Sequence, residues 1–304
     1  MGGGRLAPGN LQRQRPGLFT LGVLFGLNIL AWFVIYDLKA PRFLEVNFFD
    51  VGQGDAVFIE TPQLHQILID GGPDSIILEK LAKEMPFWDR TIDLIILTHP
   101  ERDHLSGLIE VLKRYKVKNI LWTGVLRDTS EFKEWQRLIK NEGAKIKIAK
   151  APQKIVCSEK WQRTVLCQID IVFPFGSFLG QEFKDSNNTS IVAKLVFEKN
   201  SFLFTGDIYK SVERELIKKE IDIDSDILKV SHHGSKTSSS EEFIAEVSPE
   251  ISIISVGKEN KYGHPHPEVL EILEKYGIRI LRTDLDGDIK ILCGSQSLKL
   301  KSKE

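Results

Sequence analysis

The stretch Leu94-Ile95-Ile96-Leu97-Thr98-His99-Pro100-Glu101-Arg102-Asp103-His104 constrains this chain more than any other. Its four leading apolar residues read as a buried strand, and Leu105, Leu108, Ile109 and Leu112 then recur at helical spacing. Between strand and helix stand His99, Glu101, Asp103 and His104, four metal-capable side chains within six residues. A rigid strand end holds such residues while their side chains project into a shared cleft. A turn at the helix start can aim alternate side chains at one point.

Three other strand ends carry similar chemistry. Val230-Ser231-His232-His233-Gly234-Ser235 follows an apolar run, Phe204-Thr205-Gly206-Asp207 ends a strand in Gly-Asp, and Leu68-Ile69-Asp70-Gly71-Gly72 ends one in a tight turn. Glycine permits close backbone approach, and Asp207 could bridge two cations. Each element alone is weak, since Gly-Asp and Asp-Gly-Gly usually mark ordinary turns. Their shared position argues against coincidence. So does the distribution of histidine: six of the seven fall into three tight groups, the third being His264 and His266.

The surrounding pattern alternates short β-rich runs with helical segments. Strands are expected near 43–49, 55–61, 66–70, 93–98, 118–122, 145–149, 168–173, 190–197, 201–205, 226–230, 251–255, 278–283 and 287–292. Helices are expected near 74–84, 103–114, 129–141, 209–219, 240–246 and 267–276. Hairpins come first, strand–helix pairs follow, and the rhythm repeats in both halves. An α+β fold with two sheets face to face and helices outside, a four-layer αββα sandwich, accounts for this.

One segment stands apart. Gly17 to Tyr36 contains no charged residue and is long enough as a helix to cross a bilayer core of roughly 30 Å. It predicts a transmembrane anchor over 17–36, after a tail over 1–16 and before a tether over 37–42, with the catalytic domain over 43–304. The positive-inside bias is slight and favours the domain on the extracytoplasmic side of a bacterial inner membrane. Without residues 1–40, which hold Arg5, Arg13, Arg15, Lys39 and Asp37, 41 basic residues become 37 and 42 acidic become 41, a net charge of −4. That speaks against gripping nucleic acid through a broad basic surface. Cys157, Cys167 and Cys293 are too few for a disulfide scaffold and lack zinc-ribbon spacing.

Taken together, the motifs resemble the metallo-β-lactamase superfamily, and within it the hydrolase domain of ComEC-type DNA-uptake (competence) proteins. The matching residues are Phe49-Asp50-Val51-Gly52-Gln53-Gly54-Asp55-Ala56, Leu68–Gly72, His99–His104, Asn187-Asn188-Thr189-Ser190, Thr205-Gly206-Asp207, Lys229–Ser240, Tyr262-Gly263-His264-Pro265 and Arg282-Thr283-Asp284. The resemblance spans about 43–293 and implies the same αββα fold. Asp50, Gln53, Asp55 and Asp70 belong to its structural motifs. Two departures matter. Glu101 stands where the superfamily has a second histidine, and the Asn187-Asn188 loop replaces the histidine of the middle of the fold. More oxygen and fewer nitrogen ligands favour harder cations, so manganese is expected over zinc.

The roles implied are these. Asp103 and His104 would bind one cation with His232 or His233, His99 and Glu101 would face a second, and Asp207 would bridge. Two cations acidify a water to a hydroxide usable near neutral pH, with Asp103 as the candidate base. His264 could donate to a leaving oxygen. Asn187, Asn188, Ser235, Thr237 and the serines at 238–240 would meet phosphate. The expected activity is hydrolysis of a phosphodiester, with DNA, single-stranded in one version, as substrate. The channel function of ComEC-type proteins is not carried over to a chain with one anchor. A hydrolase of another ester (phospholipid head group, lactone or wall phosphodiester) is the first alternative, and a non-catalytic binding module with a degraded metal site the second.

Overall fold

The computed structural model describes residues 1, 4, 15–39, 43–157, 167–294 and 298–302. The chain divides into two units, Met1–Arg42 and Phe43–Glu304. The first contains helix α1 (Arg15–Lys39). Its described side chains run over 19–32, so both ends of the anchor expected over 17–36 lie outside them. Among the described residues, no helix is long and apolar enough to cross a membrane. Most of the expected tail, and residues 40–42 of the tether, also lie outside the described residues.

The second unit begins with β1 (Leu44–Phe48), β2 (Val57–Glu60), β3 (Gln66–Ile69), α2 (Ile76–Glu84), β4 (Thr91–Leu97), α3 (Arg102–Leu112), β5 (Lys116–Trp122), α4 (Ser130–Glu142) and β6 (Lys145–Ile148). It continues with β7 (Gln153–Val156), β8 (Cys167–Phe173), β9 (Val192–Phe197), β10 (Asn200–Phe204), α5 (Lys210–Lys218), β11 (Ile227–Lys229), α6 (Glu241–Val247) and β12 (Ile251–Ile254). The last elements are α7 (Pro267–Lys275), β13 (Arg279–Arg282), α8 (Thr283–Asp286), β14 (Ile289–Cys293) and β15 (Leu298–Ser302). One sheet has the order β15-β14-β1-β2-β3-β4-β5-β6 and the other β13-β12-β11-β10-β9-β8-β7.

The sheets alternate their side chains between apolar layers, as period-two strands must. In β10, Phe202 and Phe204 enter the layer between the sheets, where they meet Val46, Ile59 and Ile96. Leu203 points the other way, against Leu216 and Phe243 of the outer helices. On the first sheet, Phe58, Ile95 and Ile120 pack under Leu81, Leu108 and Trp135 of α2, α3 and α4. Four layers result. Strand β7 pairs with β8 and β15 with β14. The sequence pattern missed both, because they are short edge strands with a weak apolar face, Lys154 and Val156 being exposed in β7 and Lys299 in β15.

The site-bearing strands run parallel. β3, β4 and β5 are parallel neighbours, as are β10, β11 and β12. Asp70, His99, Asp207 and His232–His233 follow the C-terminal ends of β3, β4, β10 and β11. Two close backbone approaches fix their heights. A Cβ on Gly107 would lie 1.8 Å from the carbonyl oxygen of Gly71, and one on Gly54 would lie 2.2 Å from that of Asp103. Only glycine lets α3 sit directly on these turns. The two sheets are joined at the site by the Ile191 amide, which donates to the Thr98 carbonyl at 3.0 Å.

Candidate metal centre

Four of the expected ligands come together. Asp103, His104, Asp207 and His233 each offer an atom such that all four lie within 4.8 Å of one another. The Asp207 Oδ2 atom lies 3.4 Å from His104 Nε2 and 3.5 Å from His233 Nε2. His233 Nε2 also lies 3.3 Å from Asp103 Oδ2. His99 Nε2 approaches from the far side, 4.0 Å from Asp207 Oδ2.

The direction of each ring follows from what stands behind it. The His233 Nδ1 atom lies 2.8 Å from the Ser255 carbonyl, and His104 Nδ1 lies 2.8 Å from Asp70 Oδ2. Both partners can only accept, so both imidazoles donate from Nδ1 and turn Nε2 inward. Thr98 relays the same order to His99. Its hydroxyl donates to Asp70 at 2.6 Å and so receives the His99 Nδ1 proton at 3.0 Å. Asp70, expected only as a structural motif, thereby sets two ring orientations. Ser255 and Thr98 were not anticipated at all, since one is a backbone acceptor and the other looked like a strand residue.

The inward atoms have no hydrogen-bond partner. Nε2 of His99, His104 and His233 and Oδ1 of Asp207 are all buried and unpaired. Unpaired buried polar atoms cost on the order of 1–3 kcal/mol each. Three of these residues, His104, Asp207 and His233, belong to the four-ligand group, which marks it as a place shaped for a cation. The residues present therefore fit a divalent metal, with two carboxylates and two imidazoles as the closest donor set.

Electrostatics agree. Burial pushes the Asp207 carboxyl up, but His233 and His104 outweigh it and hold it well below the carboxylate range. Asp103 is depressed in the same way, its burial outweighed by His104 and His233. Burial opposes a proton on His233, yet Asp207 and Asp55 raise it to about 10. Burial and the neighbouring His104 lower His99 to about 3. Metal binding would displace the protons on His104 and His233. Beneath the cluster, Asp55 pairs with the buried Lys229 and lies 3.3 Å from His233 Nδ1.

Other expected site residues are placed differently. Glu101 lies outside the four-ligand group and outside the second metal-capable group of the described residues, Asp55, Asp70 and His104. Its carboxylate lies 3.0 Å from Arg127 and accepts from the Ser186 hydroxyl at 2.6 Å. His232 is 20% exposed in its side chain, with Nε2 3.9 Å from Asp207 Oδ2 and Nδ1 3.3 Å from Thr237 Oγ1. Thr237 in turn lies 2.9 Å from Ser235, so this hydroxyl pair braces His232. Neither lines the cavity. Ser240 gives its hydroxyl, and Ser239 its amide, to the buried Glu213. Asn188 holds the start of α5 through the Tyr209 amide and Ser211, while Asn187 donates to the Tyr209 hydroxyl at 2.9 Å and faces the cavity. Asp50 caps its own turn at Gly52, and Gln53 accepts from the Gly257 amide across the cavity mouth.

The cavity over the cluster has a volume of about 290 Å³ and includes Gln53, Arg127, Lys184, Asn187, Tyr262 and His264 in its walls. Burial, with help from His233 and His232, lowers His264 to about 4. Arg127 and Lys184 had no motif to reveal them. They reach the site only because the loops after β5 and β8 meet there.

The family model of the metallo-beta-lactamase superfamily matches residues 49–258, which contain every residue of the four-ligand cluster. The chain belongs to that superfamily. Among curated proteins it is similar to ComE operon protein 3 of Bacillus subtilis, with 35% identity over 81% of this chain and 32% of the relative. Competence protein ComA of Neisseria gonorrhoeae is 30% identical over 89% of this chain and 36% of its own length. The ComEC-type resemblance is thus a real kinship, although the chain spans about a third of these relatives. Among solved structures, the metallo-beta-lactamase fold protein YhfI of Bacillus subtilis is 10% identical with a TM-score of 0.52, covering 86% of this chain and 100% of that one. That likeness concerns the fold alone.

Proposed function

We propose that this metal-dependent hydrolase is a phosphodiesterase that cleaves DNA, and that it works from a membrane to which residues 17–36 anchor it, on the extracytoplasmic face. The observation that carries the hydrolytic reading is the convergence of unpaired ligand atoms at the floor of an open cavity. Lys184 on the cavity wall favours a phosphate-bearing substrate, since an ammonium group suits phosphodiester oxygens. The names of the relatives, a competence protein and a recombination protein among them, supply the preference for DNA.

Asp103, His104, Asp207 and His233 would hold the cation. The two carboxylates favour manganese over zinc. When bound, a divalent cation supplies Lewis-acid chemistry, withdrawing charge from a phosphoryl oxygen and acidifying water. The chain's own groups do the rest. Asp103, whose side chain is 32% exposed, would serve both as ligand and as the candidate base. His264, neutral above pH 4, would offer a hydrogen bond to a substrate oxygen. Asn187 and Gln53 would position the substrate between the loops.

The test uses the full chain in detergent with linear single- and double-stranded DNA and with bis-p-nitrophenyl phosphate, each with Mn²⁺ or Zn²⁺. Cleavage of DNA with Mn²⁺, abolished by Asp103→Asn, is the expected result. Cleavage of the small diester alone would point to a different ester, and cleavage of neither would leave a binding module. DNA loss that persists in Asp103→Asn would sink the site assignment.

A further inference from the structure

We propose that the chain holds one divalent cation rather than two, because Arg127 has taken the carboxylate that a second would need. This rests on the metal-dependent reading above and alters its stoichiometry. The first half of the site is complete, with four ligand atoms grouped around one point. The second half would be built from His99, Glu101 and the shared Asp207.

Glu101 is fully engaged. One of its oxygens lies 3.0 Å and the other 3.1 Å from the Arg127 guanidinium. The Ser186 hydroxyl and amide add donors at 2.6 and 3.3 Å. Arg127 cannot swing away, because it also donates to the carbonyls of Phe183 and Lys184, both at 2.7 Å. The pair is charge-assisted, with the single nitrogen Nη2 of Arg127 reaching both carboxylate oxygens. The side chain that could replace the missing histidine, Asn187, spends its amide on Tyr209 and lies 3.4 Å from His232. What remains is His99 with Asp207, 4.0 Å apart. Among the described residues, neither metal-capable group includes His99. Two protein donors are too few to retain a transition metal, which zinc sites hold with three or four.

Metal-free full-length chain is titrated with Mn²⁺ by calorimetry, bound metal is counted after desalting, and the loaded protein is read by electron paramagnetic resonance. One equivalent with the hyperfine pattern of isolated Mn²⁺ is expected. Two equivalents, or a spin-coupled pair, would overturn the inference, whereas no bound metal would overturn the metal-dependent reading itself. Arg127→Ala should free Glu101 and admit a second equivalent, and adding Glu101→Gln should remove it again. A folded Arg127→Ala chain that still binds one ion refutes the role given to Arg127. Should that variant not fold, Glu101→Gln in the otherwise unchanged chain decides, because its affinity for the single ion should not change; a fall would make Glu101 a ligand.

Discussion

Two neighbouring histidines, His232 and His233, both sit in the left-handed backbone region, at φ 49° and 54°. His233 is buried, with a carbonyl behind its ring and two carboxylates in front. His232 is partly exposed, braced by the Thr237 hydroxyl and facing Asn187 at the cavity edge. Residue type and backbone are the same, so neither makes the ligand. The difference lies in the acceptor behind the ring, which holds Nδ1 as the donor and aims Nε2 at the two carboxylates.

The largest effect should come from His233→Ala. It removes one of four ligands, the imidazole that lies 3.3 Å from Asp103 and 3.5 Å from Asp207, so bound Mn²⁺ should be lost along with hydrolysis. Metal analysis after desalting checks it, and retention of a full equivalent would mean that the two histidines had been read the wrong way round. Asp70→Asn sharpens the same point one layer out. It weakens the acceptor behind His104 and, through Thr98, behind His99, and should lower metal affinity by about 10–100-fold. His232→Ala, by contrast, should leave metal affinity nearly unchanged and lower turnover by about tenfold, the smaller loss expected of a group that positions substrate. Calorimetry and steady-state kinetics on one preparation separate these two outcomes.

How legible this contrast is in the sequence depends on the range of the contacts. The strand-end positions of His99, Asp103, His104, Asp207 and His233 follow from apolar runs that stop at chemical residues, and the structure brings these side chains to one edge. The choice between His232 and His233 was not legible, because it is made by Ser255, a backbone carbonyl one strand away. Glu101 was misleading for a similar reason. Its partner Arg127 lies 26 residues on, in a loop without motif, and only the parallel pairing of β4 with β5 brings them together. The hydroxyls of Ser235 and Thr237 looked free for phosphate, but a short turn folds them back on His232.

The two rings should also titrate in opposite directions in metal-free protein. Burial, against the pull of Asp207, lowers His232 below 6.5, while Asp207 and Asp55 raise His233 to about 10 in spite of burial. A raised pKa contributes stability that is fully present below the unfolded value of 6.5 and is lost as pH rises through about 10. A lowered one acts in reverse, favouring the fold as pH rises into and above the ordinary histidine range. Imidazole resonances followed from acid to pH 10 in metal-free protein would show His232 neutral while His233 still carries its proton. Loss of both protons together would erase the contrast.

The smallest effect isolates the backbone that the pair shares. At φ 49° and ψ 47°, a side chain at 232 pays the left-handed penalty of about 1–2 kcal/mol that glycine avoids. Glycine gives back about 0.5–1 kcal/mol through the freedom it adds to the unfolded chain. His232→Gly should therefore be more stable than His232→Ala by roughly 0.5–1 kcal/mol, the left-handed relief exceeding the entropy loss. Denaturant melts of the two variants with metal bound measure it. Because both lack the ring, any difference belongs to the turn alone. If alanine were the more stable, the turn would relax once the imidazole is gone, and the left-handed geometry would be a product of the contacts that His232 makes rather than a frame imposed on both histidines.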